Sequence, residues 1–106
     1  MALLVYITAP SPEEARRIGS ALVERRLAAC VNIIPGMQAL FHWDGAVQTA
    51  DETILLAKTT QAHYPALEAA IKAMHPYDVP CIVAQPVVAG SAAFLQWIED
   101  ETRQGA

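Results

Sequence analysis

The densest group of reactive side chains lies in the segment AMHPYDVPC, residues 73–81, where a His, a Tyr, an Asp and a Cys fall within seven positions. His75 and Cys81 are both good ligands for soft metals, and a Cys–His pair can also act as a nucleophile and its base. A third interpretation needs no chemistry, because Pro76 and Pro80 are typical of the boundaries between a helix and a strand. The segment alone leaves all three interpretations open.

The composition predicts one domain that buries part of its surface against other subunits. The chain has 106 residues, which suffices for a single domain, over 1–106, with a modest core. Hydrophobic residues make up 54% of it and charged residues only 17%, below the usual quarter. Because no apolar run is long enough to span a membrane, we expect the apolar excess to be buried in an obligate oligomer.

Charge and cysteine usage exclude several classes of protein. The net charge is −4 and the basic residues are scattered, whereas nucleic-acid binding needs a clustered basic face. The N-terminal segment MALLVYITAPS lacks the basic start of a signal peptide, so we interpret it as a strand and expect a cytoplasmic protein. Two cysteines, at 30 and 81, are typical of reduced thiols rather than a disulfide scaffold.

Hydrophobic periodicity predicts two similar halves joined by a hairpin. The first half has a buried strand over Leu3–Ala9, a helix that Ser11 caps in a capping box, and a strand that begins at Leu27. Asp44-Gly45 is the strongest hairpin signal in the chain, and the returning arm covers Ala46–Thr59.

The second half repeats this pattern and adds one element. A helix ends at Pro76, the segment CIVAQPVV predicts a strand, and Ser91 caps a last helix with Phe94, Leu95 and Ile98 facing inward. The order β-α-β-β-α-β plus a C-terminal helix is the α+β, ferredoxin-like plan. Helices cover one face of such a sheet, and a second subunit is the obvious cover for the other.

The hairpin is long for a domain of this size. Each arm has about 13 residues and would extend for roughly 43 Å. A compact domain of this length is only about 33 Å across. The hairpin must therefore bend at Pro35-Gly36, pack its tip on another subunit, or do both.

Several motifs occur in a recognisable order: RLAACVNIIPG, HWDG, Glu52 with LLAKTT, AMHPYDVP, Gln85-Pro86 and FLQWI. Together they resemble the CutA family of divalent-cation tolerance proteins, from Leu4 to about Thr102. The resemblance implies a ferredoxin-like fold and a tight homotrimer whose long hairpins pair across subunits. It also implies a link to copper and other divalent metals and a trimer similar to the PII signalling proteins. No enzymatic activity is implied.

The resemblance also marks individual positions. Residues of this chain that match the family's motif positions are Cys30, Trp43, Glu52, Lys58, His75, Tyr77 and Trp97. Phe41 and Phe94 stand where the family usually has tyrosine, so any hydrogen bond from those hydroxyls is absent here. Cys81 stands where glutamate is common, which makes a His75–Cys81 chelate an incidental pairing.

Cys30 and His75 are the predicted metal ligands, each beside a structural alternative. The Cys30 thiolate suits Cu(I), although a free cysteine in a strand is equally typical of a small buried hydrophobe. His75 either caps the end of a helix or lines a cleft at a subunit junction with Cys30, Glu52 or Lys58, which Tyr77 closes. Two ligands bind a metal only weakly.

The other marked residues are predicted to line a ligand-binding cleft or an interface. Glu52 and Lys58 share one face of a strand about 20 Å apart, so each needs a partner elsewhere or a shared anion. We assign Glu52, Lys58, Tyr77 and Trp43 to the cleft, although Trp43 also suits a core or interface anchor. Three further aromatic residues are assigned to interfaces or packing: Trp97, Phe41 and Phe94.

The leading hypothesis from the sequence is a non-enzymatic cytoplasmic homotrimer that binds copper or another divalent cation and needs no cofactor. The alternative is a PII-like sensor that holds a small anion at Lys58 and His75 between subunits. A Cys–His hydrolase is disfavoured, because no orienting acid or oxyanion donor is visible and His75 ends a helix.

Overall fold

A computed structural model of the chain describes residues 1–103, so positions 104–106 of the predicted domain lie outside it. The elements are β1 (Ala2–Ala9), α1 (Pro12–Glu24), β2 (Cys30–Trp43), β3 (Ala46–Thr60), α2 (Tyr64–Met74), β4 (Ile82–Pro86) and α3 (Ala92–Thr102). The strands form one antiparallel sheet in the order β2-β3-β1-β4. This arrangement confirms the predicted ferredoxin-like plan with its additional C-terminal helix. No helix within residues 1–103 is both long enough and apolar enough to cross a bilayer.

The start of α1 follows its sequence signal. The Oγ atom of Ser11 accepts a hydrogen bond from the backbone N–H of Glu14 at 3.1 Å, and Pro12 takes the first helical position. The Glu14 carboxylate accepts from Arg17 at 2.6 Å instead of reaching back to Ser11. Only the Ser11 half of the predicted capping box is therefore formed.

Because of the way α1 ends, the second strand begins three residues later than predicted. Arg26 takes a left-handed conformation with φ of 58°, and the backbone N–H groups of Leu27 and Ala28 donate to the carbonyl of Leu22 at 2.9 and 3.2 Å. These bonds close the last helical turn. Leu27 and Ala28 are consequently buried beside the helix, and β2 begins at Cys30 rather than at the predicted Leu27.

Helices α1 and α2 cover one face of the sheet and form the main core. Alternate residues of β1 and β3 point into this core, as the period of a strand requires. They pack against apolar residues of both helices. The fully buried members include Val5, Ile7, Ile18, Leu22, Leu55, Ala57, Leu67 and Ile71.

The opposite face of the sheet carries the other set of alternating residues and is called here the open face. Its residues are Leu4, Tyr6 and Thr8 on β1, Glu52, Ile54, Leu56 and Lys58 on β3, Cys30, Asn32 and Ile34 on β2, and Val83 and Gln85 on β4. Ile34 and Val83 are 44% and 54% exposed. The chain therefore leaves apolar side chains on this face in contact with solvent.

The β2–β3 hairpin projects beyond the rest of the sheet. β1 pairs with β3 only as far as Thr53, whereas β2 and β3 pair to the tip at Trp43 and Ala46. The register shifts between Ile34 and Met37, across Pro35-Gly36, which confirms the predicted bulge or kink. The longest dimension of the molecule, 45 Å, matches an extended arm rather than a folded one.

The last helix follows its cap prediction but not all of its predicted packing. The Oγ atom of Ser91 accepts from the N–H of Phe94 at 3.4 Å. Ile98 is buried and Leu95 is partly buried in a small second cluster, but Phe94 is 45% exposed and stacks on Trp97. The inward orientation predicted for Phe94 is wrong, because the buried stripe follows Leu95, Ile98 and Thr102 at helical spacing.

Candidate functional site

The open face deepens into a cleft between the projecting half of the hairpin and the turn that follows α2. Its volume is about 870 Å³, within the range of small-molecule sites. Side chains of β1, β2 and β3 and of the turn line it. The residues that carry its chemistry are Tyr6, Thr8, Met37, Phe41, Trp43, Glu52, Tyr77, Asp78 and Cys81, called here the cleft residues.

A carboxylate and a phenol meet inside this cleft. Glu52 pairs with Met37 just beyond the bulge, and only 9% of Glu52 is exposed. The hydroxyl of Tyr77 donates to Oε2 of Glu52 at 3.0 Å. Burial, and then the hydrogen bond to Glu52, raises the pKa of Tyr77, so the phenol stays protonated and remains a donor. Glu52 and Tyr77, both assigned to the cleft from the sequence, are therefore in direct contact.

His75 holds the turn that presents Tyr77. Its backbone N–H bonds the carbonyl of Ile71 at 2.8 Å and thereby caps α2. Ring atom Nδ1 accepts from the N–H of Tyr77 at 3.1 Å, so Nε2 carries the proton and donates to the carbonyl of Thr8 at 2.7 Å. Both ring nitrogens of this buried histidine are engaged. His75 thus occupies the C-cap position of α2, and its ring bonds backbone groups of β1 and of the turn.

Cys30 and Lys58 lie at the other end of the sheet. Cys30 pairs with Lys58, whose Nζ donates to Oδ1 of Asn32. Lys58 is opposite Leu4 on β1, four residues from the Thr8 carbonyl that His75 contacts. Strand spacings separate Cys30 from Thr8 by about 16 Å. The structure thus brings Glu52, His75 and Tyr77 together and places Cys30 and Lys58 apart from them.

Cys81 also lines the cleft, although from the sequence its pairing with His75 is incidental and it is assigned to no site. Its thiol is exposed to the cleft at the level of Thr8. Partial burial, and then the charge of Glu52, raises the pKa of this thiol, while the neighbouring Thr8 side chain acts in the opposite direction. Cys81 is consequently protonated at neutral pH and is a poor nucleophile.

The remaining aromatic residues divide between two places. Trp43 and Phe41, on the hairpin, line the cleft and are 57% and 41% exposed. Trp97 and Phe94 are on α3, with ring centroids 5.6 Å apart. Sequence reasoning did not identify Tyr6 as a cleft residue. The alternation of side chains along β1 groups Tyr6 with Leu4 and Thr8, but only the pairing of β1 with β3 shows that this set shares a face with Glu52.

Within residues 1–103, no group of three His, Cys, Asp or Glu side chains is placed to hold a metal ion. A closed structural zinc site needs four ligands, and catalytic sites usually have three from the protein. The part of the chain that the structure describes brings together fewer such side chains than either kind of site has.

We predict that His75→Ala lowers the free energy of unfolding by about 2–3 kcal/mol, because the Thr8 carbonyl and the Tyr77 N–H each lose a partner. Denaturant unfolding at a fixed protein concentration measures this loss. His42→Ala, at an exposed position of the hairpin, is the matched control and should change stability by less than about 0.5 kcal/mol. Equal stability of the two variants would contradict the structural role given to His75.

Comparison with known proteins finds a matching family model and several relatives. The family model described as CutA1 divalent ion tolerance protein matches residues 3–101. A protein named divalent-cation tolerance protein CutA from Thermus thermophilus is 50% identical over 93% of this chain and 96% of its own length. A chloroplastic CutA 1 from Oryza sativa is 39% identical over 96% of this chain, which spans 58% of that relative.

A solved structure agrees with these sequence matches. The divalent cation tolerance protein Cut A1 from Thermus thermophilus superposes with a TM-score of 0.95 and 48% identity, over 97% of this chain and all of the other. Motifs, fold and relatives coincide over nearly the whole length. This chain belongs to the CutA1 divalent ion tolerance protein family.

Proposed function

We propose that the protein is a non-enzymatic homotrimer that binds divalent cations, copper among them, at subunit junctions and contributes to tolerance of these metals. The observation that carries the proposal is the open face, which leaves apolar side chains and a half-buried thiol without cover. The names of its relatives, divalent-cation tolerance proteins, support the metal part.

The need for partner subunits follows from the sheet. One face buries the core under α1 and α2, whereas Ile34 and Val83 on the open face remain 44% and 54% exposed. β2 is an edge strand of 14 residues, and long uncovered edges invite pairing with another chain. Copies of the same chain packed on the open face and along this edge would bury the exposed apolar side chains and pair the free backbone groups of β2. This burial also accounts for the apolar composition.

The metal part rests on Cys30. Its thiol is half-buried on the open face, and thiolates bind Cu(I) and other soft ions well. A subunit junction would add ligands from a second copy, which one chain does not provide. His75 is the other predicted ligand, but it would have to release the N–H of Tyr77 to bind through Nδ1. We therefore assign the metal contact to Cys30 first.

For the assembly, we expect sedimentation equilibrium to give three times the chain mass of 11.4 kDa. Ile34→Lys places a charge on the open face and should at least tenfold weaken association, because the charge must be desolvated on burial. Val88→Lys is the matched control, since Val88 is 90% exposed in the segment before α3. A monomeric wild type, or equal association of the two variants, would contradict the proposed interface.

For the metal, we expect Cys30→Ser to lower affinity at least tenfold, because an alcohol is a poor ligand for soft ions. Calorimetry with Zn²⁺ and chelator competition with Cu(I) under anaerobic conditions measure this without oxidising the thiols. Cys81→Ser removes the other free thiol and should stay within twofold of wild type. Indistinguishable affinities for all three proteins would refute the assignment to Cys30.

A second candidate function is a small-molecule sensor, favoured by the cleft. A cleft of about 870 Å³ lined by aromatic rings and a buried carboxylate is typical of ligand sites. The sequence suggested an anion held by Lys58 and His75. Lys58 bonds Asn32 at the other end of the sheet, and both ring nitrogens of His75 are engaged in hydrogen bonds. The support for a sensor therefore comes from the cleft and not from an anion site at these two residues.

A thermal-shift screen of nucleotides, carboxylates and amines tests this second candidate. At 100 times its Kd, a ligand stabilises the folded state by about 2.7 kcal/mol, which raises Tm by several degrees. We expect such a shift from at least one pool, and we expect Trp43→Ala to abolish it. Trp97→Ala, which removes a tryptophan outside the cleft, should preserve the shift. The absence of any hit would argue against a ligand site.

A further inference from the structure

The end of α2 is attached to its surroundings from two sides of the molecule. On the sheet side, the ring of His75 donates to the carbonyl of Thr8 and accepts from the N–H of Tyr77. On the outer side, Nη2 of Arg17 on α1 donates to the carbonyl of Met74, the last residue of α2, at 2.5 Å. Because the two attachments involve consecutive residues, the backbone that leaves the helix has little freedom.

The guanidinium of Arg17 is oriented by a carboxylate of its own helix. Nε and Nη2 of Arg17 both donate to Oε2 of Glu14, at 3.1 and 2.6 Å. Nη2 has two N–H groups, so it can donate to Glu14 and to Met74 at the same time. Glu14 is itself placed by the capped first turn of α1, because its backbone N–H donates to Ser11. The planar guanidinium is therefore held in the direction of Met74.

The carbonyl of Met74 gains more from this donor than the whole protein does. It is one of the last four carbonyls of α2, which have no partner within the helix, and the negative end of the helix dipole favours a cation there. The ion pair between Arg17 and Glu14 is half-exposed, and such pairs add little to global stability. The bond to Met74 therefore acts locally, by fixing the point at which the chain leaves α2.

The side chain of Tyr77 depends on this point of departure. Tyr77 follows Met74 by three positions, and its hydroxyl reaches Oε2 of Glu52 at 3.0 Å. A hydrogen bond weakens steeply outside a narrow range of distance and angle. Residues 76–79 are all exposed, so packing does little to hold the turn in place. A small displacement of the end of α2 would consequently separate Tyr77 from Glu52.

Every contact in this path lies within one chain. Arg17 and Glu14 belong to α1, which covers the face of the sheet opposite to the open face. The homotrimer proposed above buries the open face. It would therefore cover the part of the path at Tyr77 and Glu52 without replacing the part at Arg17.

We propose that Arg17 is a positioning residue for the cleft: by holding the carbonyl of Met74, it keeps the turn where Tyr77 reaches Glu52. A side chain on the outer surface of α1 thereby controls a contact on the open face. This inference goes beyond the proposed functions, because it concerns contacts within one chain and holds for any ligand or metal that the assembly binds.

Amide hydrogen exchange of the full-length protein, followed by NMR, tests this role with Arg17→Gln and the matched control Arg16→Gln. Both substitutions remove one positive charge from an exposed position of α1, and of the two residues Arg17 is the one that donates to Met74. We expect the Tyr77 N–H to exchange at least about fivefold faster in Arg17→Gln than in the control, because local opening frees it from His75.

Two further measurements separate a loosened turn from general destabilisation. The amide of Val5, in the buried middle of β1, reports global opening and should change by less than about twofold in both variants. The nuclear Overhauser contact between the Tyr77 ring and the Glu52 side chain should weaken at least about twofold in Arg17→Gln and persist in Arg16→Gln.

Three outcomes would overturn the inference. The first is equal exchange of the Tyr77 N–H in the two variants. The second is equal acceleration at Tyr77 and Val5 in Arg17→Gln, because that result indicates global destabilisation. The third is faster exchange at Tyr77 with an unchanged contact to Glu52, since the turn would then not control the reach of this side chain.

Discussion

The geometry of the cleft depends on one buried imidazole. His75 is the C-cap residue of α2. Its Nε2 donates to the carbonyl of Thr8 near the end of β1, and its Nδ1 accepts from the backbone N–H of Tyr77 in the turn that follows the helix. These two bonds fix the chain between helix and strand, so Tyr77 reaches across to Glu52 with its hydroxyl. A different orientation of this turn would remove one wall of the cleft and leave the Glu52 carboxylate without its donor.

The hairpin supplies the opposite wall for a different reason. At Pro35-Gly36, β2 has one residue more than β3 opposite it, and Gly36 takes a φ of 81° that favours glycine. This bulge resets the register so that Met37 lies opposite Glu52, and Phe41 and Trp43 follow on the same face. The same projection gives the chain a long edge strand and an uncovered apolar face. The features that form the cleft are therefore also those on which the proposed homotrimer rests.

Charge is divided between the two ends of the open face. Lys58, with Asn32 and Cys30, lies where β1 begins, whereas Glu52 and Asp78 lie near the cleft. Strand spacing keeps these groups apart, because six residues of extended chain separate Glu52 from Lys58. A thiol-based metal contact and a small-molecule ligand in the cleft are thus separate proposals for separate places, and each can fail without the other.

The sequence by itself determined the elements. Caps at Ser11 and Ser91, the Asp44-Gly45 turn and Pro76 act through local backbone geometry, so periodicity and turn chemistry predicted the element order. Two predictions from local signals were wrong. β2 begins after Leu27, because hydrogen bonds that close α1 hold this residue beside the helix. Phe94 is exposed, because α3 buries the neighbouring stripe that contains Ile98.

Only the tertiary structure decided which marked residues meet. Glu52 and Tyr77 are 25 positions apart and Thr8 and His75 are 67 apart, so their contacts depend on strand register and on the docking of α2. A shift of one residue in register would turn Glu52 to the other face of the sheet. The sequence named Glu52, Trp43 and Tyr77 as cleft residues. Long-range packing separated them from Cys30 and Lys58.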